Sequence, residues 1–379
     1  MAGARRVLWS GAIALCLLAV GCSGGGGESS TRAEVQAALD RRASVVLGRE
    51  GNTYDVPFSQ WSYRLGSVDA VGDRATADVQ LSYRVQGYDS VPVVAERVVR
   101  LGRDAGGVWS VVSEGPGEGA GEQLWDQGRV SVVRGAHSLV LGVGESGDRL
   151  RSFADLADRA VPAVSDAWGT GWARKVVVVV PASLEGMAEL LGSSVDSYRG
   201  IAAVTTGETG GRAPADRIVV NPEAYGMLGE VGRQVVLTHE TTHVATRAHT
   251  NAATPLWLSE GYADWVGYRG TDRTPDQAAP ELQSAVDEGH VPAALPADSD
   301  FGFGGDATRL AQAYEGGWLA CRMIAGRWGE EKLDAFYKAV GAHGKRAGAV
   351  EGALGSVLGV TLEEFTEDWR TYVKEQLAS

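Results

Sequence analysis

The sequence predicts an α+β protein in two parts. A small N-terminal unit of one helix and an antiparallel sheet precedes a larger unit with a small mixed sheet, a motif-bearing helix and a C-terminal helical lobe. Three observations predict it. One amphipathic segment is followed by four stretches that alternate apolar and polar residues. A glycine-rich break, 115–121, then interrupts the chain. Beyond it, short valine-rich runs give way to long stretches of helical periodicity. The 379 residues exceed one average core, and a hydrophobic content of 44% is enough to fold most of them.

At the start of the chain, Arg5 and Arg6 precede an apolar run, 7–20, of signal-peptide length that is too short for a comfortable membrane span. It ends in Leu18-Ala19-Val20-Gly21-Cys22. This stretch resembles the bacterial lipobox, with Ala19 where leucine is usual and Leu18 one step earlier. The expectation is a lipoprotein signal peptide over 1–21, a lipid on Cys22, and export to the outer face of a membrane. A Gly/Ser tether, 22–30, follows. The formal charge of −13 becomes −15 once Arg5 and Arg6 leave with the leader. So acidic a surface argues against nucleic acid as a partner. Cys16 leaves with the leader, so only Cys321 remains as a free thiol. It reads as a small buried hydrophobe, with no intrachain disulfide.

The first unit, 31–115, opens with a helix predicted over 31–50. Thr31 and Glu34 make a capping-box pair, and Val35, Leu39, Ala43, Val46 and Leu47 share one face. Strands near 61–70, 74–86, 91–102 and 107–113 follow, separated by Gly- and Asp-containing turns. By element order alone this unit resembles nuclear-transport-factor-2-like or cystatin-like domains. The second unit, 123–379, begins with a strand or hairpin over 130–143 and a helix over 149–168. A lysine and five valines, 175–180, read as a buried strand. A short helix, 183–191, and short strands, 200–205 and 217–220, complete the sheet region. From 232 onward the pattern is helical, broken by a polar stretch, 270–305.

The chemistry centres on His239-Glu240-Thr241-Thr242-His243. Residues four apart share a helix face, so the two imidazoles can hold one metal ion, with Glu240 on the adjacent side in reach of a water there. Two ordinary helical histidines are the plain alternative. Against it stands Pro255-Leu256-Trp257-Leu258-Ser259-Glu260-Gly261-Tyr262-Ala263-Asp264-Trp265. Thr254 is positioned to cap this second helix and Pro255 to start it. Glu260, seventeen positions after His243, is the candidate third ligand. Two histidines, a carboxylate and one open position make the ligand set of a catalytic zinc, whereas a structural site closes its fourth position. Asp264, one turn beyond Glu260, can accept a hydrogen bond from the free nitrogen of a ligand histidine.

HETTH followed by WLSEGYADW resembles the gluzincin zinc metallopeptidases, in particular the peptidase MA-like families of bacterial surface proteins. The segments Ala313-Tyr314-Glu315-Gly316-Gly317, Gly329-Glu330-Glu331-Lys332-Leu333, and Leu358-Gly359 to Asp368-Trp369-Arg370 look like their helical tail. The resemblance implies one Zn2+ per chain held by His239, His243 and Glu260, with Glu240 as general base and Asp264 as the partner of a ligand histidine. It also implies a Tyr or His beside the metal to stabilise the oxyanion. Tyr314 is the candidate, and His290 its rival. The substrate would be a peptide or protein, and a strand edge near 200–205 or 217–221 would pair with it. Two other readings remain. One is a catalytically silent lipoprotein whose zinc site serves binding or scaffolding. In the other, the N-terminal unit acts as an inhibitory or substrate-docking module.

Overall fold

The computed structural model describes residues 25–48, 54–206, 215–302 and 305–378. Helix α1 spans Gly25–Leu47 and is followed by four strands: β1 (Phe58–Val71), β2 (Arg74–Val85), β3 (Val93–Arg103) and β4 (Trp109–Pro116). The strands form an antiparallel meander in the order β1-β2-β3-β4. Alternation along β2 turns Ala75, Ala77, Val79, Leu81, Tyr83 and Val85 inward. Val35, Leu39, Ala43 and Val46 of α1 pack with several of these and with Trp61, Val99 and Trp109. The helix starts earlier than expected. Residues 25–30 of the anticipated tether are its first turns, so Thr31 lies inside it and is not its cap. Helix nucleation is costly but extension is cheap, so a well-packed segment can carry weak helix formers into its first turns.

Gly115 and Pro116 close β4, and the break at 115–121 is tied down on either side. Arg97, 1% exposed, bonds Glu114 on one side and both oxygens of Asp126 on the other.

The second unit opens with β5 (Val130–Arg134) and β6 (Ser138–Val143), then α2 (Gly147–Trp168), β7 (Val176–Val180), α3 (Leu184–Leu191), β8 (Ala203–Thr205) and β9 (Ile218–Val220). The sheet order is β5-β6-β7-β9-β8. β6, β7 and β9 are parallel, and the outer strands β5 and β8 run antiparallel to their neighbours. The five valines of β7 are apolar on both faces because the strand is central. Val176, Val178 and Val180 face the side covered by α2, while Val177 and Val179 face α3 and the first unit.

The helical part follows: α4 (Pro222–Met227), α5 (Glu230–Thr246), α6 (Leu256–Tyr268), α7 (Pro275–Ala278), α8 (Pro280–Asp287), α9 (Ala307–Trp328), α10 (Glu330–Gly341), α11 (Ala349–Ala353) and α12 (Leu362–Leu377). Helix α6 is capped differently from the expectation. Pro255 is its N-cap, and the Leu256 amide donates to Asp298, which lies far along the chain. The Thr254 hydroxyl instead accepts from the Asn251 amide. Among the described residues, no helix is long and apolar enough to cross a membrane. Cys22 and the leader lie outside the described residues. Cys321 is fully buried as a free thiol, and burial pushes its pKa up.

Helices α6 and α9 approach at glycines. A Cβ on Gly317 would sit 2.6 Å from the Trp257 carbonyl oxygen. Gly267 plays the same part against α5, where a Cβ would lie 3.1 Å from the Val235 oxygen. These contacts fix the distance between the helices that carry the candidate site. Gly317→Ala gains about 1 kcal/mol in helix propensity. It also forces a methyl into a backbone contact, and overpacking costs about 1–3 kcal/mol or more. Because the clash is with backbone, the cost lies at the upper end, and the expected net result is a loss of about 2 kcal/mol in denaturant unfolding. A gain in stability would show that the two helices are not closely packed there.

Candidate metal centre

Helix α5 carries His239, Glu240 and His243 through the middle of the molecule. It runs between α2 and α6 and beside β8. Its buried threonines satisfy their hydroxyls locally. Thr241 donates to the Leu237 carbonyl and Thr242 to the Thr238 carbonyl. Helix α6 brings Glu260 and Asp264 to the same face of α5.

His239 Nε2 and His243 Nε2 lie 2.9 Å apart. Glu260 Oε2 is 3.3 Å from the first and 3.4 Å from the second. Ligand atoms held at about 2.0–2.2 Å from one tetrahedral ion are separated by roughly 3.3 Å, so this triangle fits a single zinc-sized cation. The side chains are nearly closed off, with relative exposures of 12% for His239, 6% for His243 and 7% for Glu260. Two imidazole nitrogens and a carboxylate buried this tightly call for positive charge among them. Among the described residues this is the one group of three or more His, Cys, Asp or Glu side chains arranged to hold a metal ion.

The electrostatics show a cluster that draws positive charge. Burial pushes the His239 imidazole down, but the Asp264 carboxylate, helped by Glu260 and Glu240, overrides it and holds the pKa well above its usual value. Burial alone would raise Glu260. The neighbouring His243 and His239 instead hold its carboxyl well below the usual range. His239 Nδ1 lies 2.7 Å from Asp264 Oδ1. In the neutral ring, Nδ1–H donating there would leave the Nε2 lone pair facing the cluster, the orientation a ligand histidine needs.

Glu240 is 4% exposed and is not a member of the triangle. Its Oε2 lies 2.8 Å from Thr205 Oγ1, and the same hydroxyl is 3.0 Å from the Glu240 carbonyl oxygen. Thr205 ends β8, the edge strand of the sheet; β9 is internal. Of the two segments expected to offer an edge, only 200–205 therefore does so. The ring of Tyr314, on α9, lies 6.4 Å from the His239 ring. With Asp264, Tyr268 and Trp318 it lines a cleft of about 600 Å³. His290 is exposed beyond the end of α8, faces Glu288, and is not part of that lining.

The structure thus brings together His239, His243, Glu260, Glu240, Asp264 and Tyr314, and it leaves His290 aside. Thr205 was not anticipated. It lies 35 positions from Glu240, and nothing in the local pattern of 200–205 marks its hydroxyl. Glu315 was singled out only as part of a tail segment. Its carboxyl oxygens accept from the Glu281 and Leu282 amides at the start of α8, and burial lifts its pKa to about 9.

No protein-family profile matches the sequence, and no curated protein is similar to it. Solved structures similar to the chain include M1 zinc metallopeptidases. A two-domain M1 zinc metallopeptidase, in a Glu-to-Ala mutant form bound to L-arginine, has 14% identity and a TM-score of 0.38; the match covers 84% of this chain and 62% of that one. A Glu-to-Ala mutant of the M1 zinc metallopeptidase from Deinococcus radiodurans has 15% identity and a TM-score of 0.36, over 85% and 63% of the two chains. The same enzyme bound to a Tyr-Ser-Ala substrate has 15% identity and a TM-score of 0.35, over 85% and 62%. The chain spans about three-fifths of the length of these proteins.

Proposed function

We propose that this chain is a zinc-dependent peptidase that hydrolyses peptide bonds, exported and held at the outer face of a membrane by a lipid on Cys22. The observation that carries the catalytic reading is the buried triangle of His239, His243 and Glu260 with a separate carboxylate, Glu240, beside it. A closed structural site would spend a fourth side chain on the metal. Three protein ligands leave a position for a reactant.

A zinc ion bound there supplies a Lewis acid that polarises a carbonyl and brings the pKa of water to about 7. The protein's own groups do the rest. Glu240 accepts the proton of the attacking water and returns it to the departing amine. The Thr205 hydroxyl, hydrogen-bonded to one carboxylate oxygen, holds Glu240 in a fixed rotamer and leaves the other oxygen for the proton. The Tyr314 hydroxyl, borne on the cleft wall, donates to the oxyanion. The outer strand β8 pairs with an extended peptide and lays it across the cleft.

Two measurements test the reading. The purified chain without its leader is expected to take up one zinc per chain and to cleave members of a peptide library. Chelator should abolish cleavage and added zinc restore it. Cleavage untouched by chelator, or a protein that takes up no zinc, would remove the proposal. For the anchor, Cys22→Ala is expected to move the protein from the membrane fraction to the soluble one. Retention in the membrane fraction would mean that another segment holds it.

A further inference from the structure

We infer that Asp89, in the N-terminal unit, is a positioning residue for Glu240, and that the N-terminal unit thereby sets the geometry of the candidate base. The inference rests on the proposed peptidase reading for its kinetic consequences. A set of short hydrogen bonds, completed by the peptide bond between Thr205 and Thr206, carries it.

Asp89 lies in the turn between β2 and β3, and its side chain is 1% exposed. Its two oxygens accept from Arg217 Nη1 at 2.7 Å and Nη2 at 2.8 Å, and Oδ2 also takes the Val85 amide at 2.7 Å. This bidentate pair joins the two units across 128 positions of sequence. Arg217 immediately precedes β9, and its main chain grips Thr206. The Arg217 amide donates to Thr206 Oγ1 at 2.9 Å, and the Thr206 amide donates to the Arg217 carbonyl at 2.8 Å. A second arginine closes the clamp. At the end of α5, Arg247 donates from Nη2 to the Thr206 carbonyl at 2.7 Å and from Nε to Asp216 Oδ1 at 2.9 Å. Thr206 is thus fixed through its amide, its hydroxyl and its carbonyl. The residue before it is Thr205, whose hydroxyl meets the Glu240 carboxylate.

The geometry gives Asp89 a role beyond joining the units. A planar guanidinium gripped by both carboxylate oxygens has one orientation. That orientation sets where the first residue of the β9 ladder begins, and the β8–β9 register, Thr205 opposite Ile218, carries the setting to Thr205. A shift of the base on the order of 1 Å is enough to cost up to a hundredfold in rate.

The test compares Asp89→Asn with Asp126→Asn. The second weakens the other buried arginine clamp between the units, at Arg97, without touching Arg217 or Thr206. Asp89→Asn is expected to lower kcat about tenfold with KM nearly unchanged, and to do little more in a Thr205→Val background, because both act through one link. Asp126→Asn is expected to lower thermal stability and leave kcat alone. Amide hydrogen exchange at Thr206 and Arg217 gives a readout that needs no catalysis. It should accelerate about tenfold in Asp89→Asn and stay at the parent rate in Asp126→Asn. A protein that cleaves nothing but shows this exchange pattern keeps the inference and loses the peptidase reading. Unchanged exchange, equal effects of the two variants on kcat, or full additivity with Thr205→Val overturns the inference.

Discussion

Glu240→Gln is expected to cut peptide hydrolysis by about 10²–10⁴-fold while zinc uptake stays at the parent level. The two halves of this result come from different parts of the geometry. Glu240 shares a helix with both histidines but stands outside the triangle of ligand atoms, so the triangle survives the exchange. Glutamine keeps the shape, and its amide oxygen can still accept from Thr205 Oγ1. What disappears is the capacity to take a proton and give it back. The fold should hold, because a neutral amide is cheaper to bury than a carboxylate. Zinc content by elemental analysis and single-turnover hydrolysis of a cleaved peptide measure the two halves separately. A Gln variant that still cleaves places the base elsewhere. A parent protein that binds zinc and cleaves nothing is the silent binding module.

Where the expectations held and where they failed follows from the range of the interactions involved. The alternation of β2, the valines of β7 and the four-residue spacing of His239 and His243 are local periodicities. They report directly which side of a strand or helix is buried. Glu260 was legible because a second helix start, at Pro255, placed a carboxylate one short loop after the histidines. The cap of that helix was not legible, because Asp298 supplies it from 42 positions away. The same holds for Thr205 against Glu240 and for Asp89 against Arg217. A hydroxyl or carboxylate that acts across the fold leaves no periodic trace. Residues 25–30 failed for the opposite reason: glycine and serine suggest a tether, yet local propensity yields to a helix already nucleated and packed.

Glu260→Ala is expected to lower zinc affinity by about two to three orders of magnitude, since a four-ligand protein site is worth about 10–16 kcal/mol in all and each ligand carries a share of it. The loss should exceed that from Asp264→Asn, for which about 10–100-fold is expected because Asp264 only orients His239. The order of these two effects separates a ligand from its support. Glu260 Oε2 stands 3.3 and 3.4 Å from the two imidazole nitrogens, whereas Asp264 reaches the cluster only through the far side of one ring. Removing the carboxylate also leaves two ring nitrogens 2.9 Å apart with no anionic ligand atom to complete the triangle. Two neutral donors hold a divalent ion poorly. Competition against a chelating dye gives both affinities on one scale, and circular dichroism shows whether the helices persist. Equal losses for the two variants would make Glu260 a supporting residue. Parent-level affinity in Glu260→Ala would mean that Glu260 is no ligand of the bound zinc, and the three-ligand site on which the peptidase reading rests would fall.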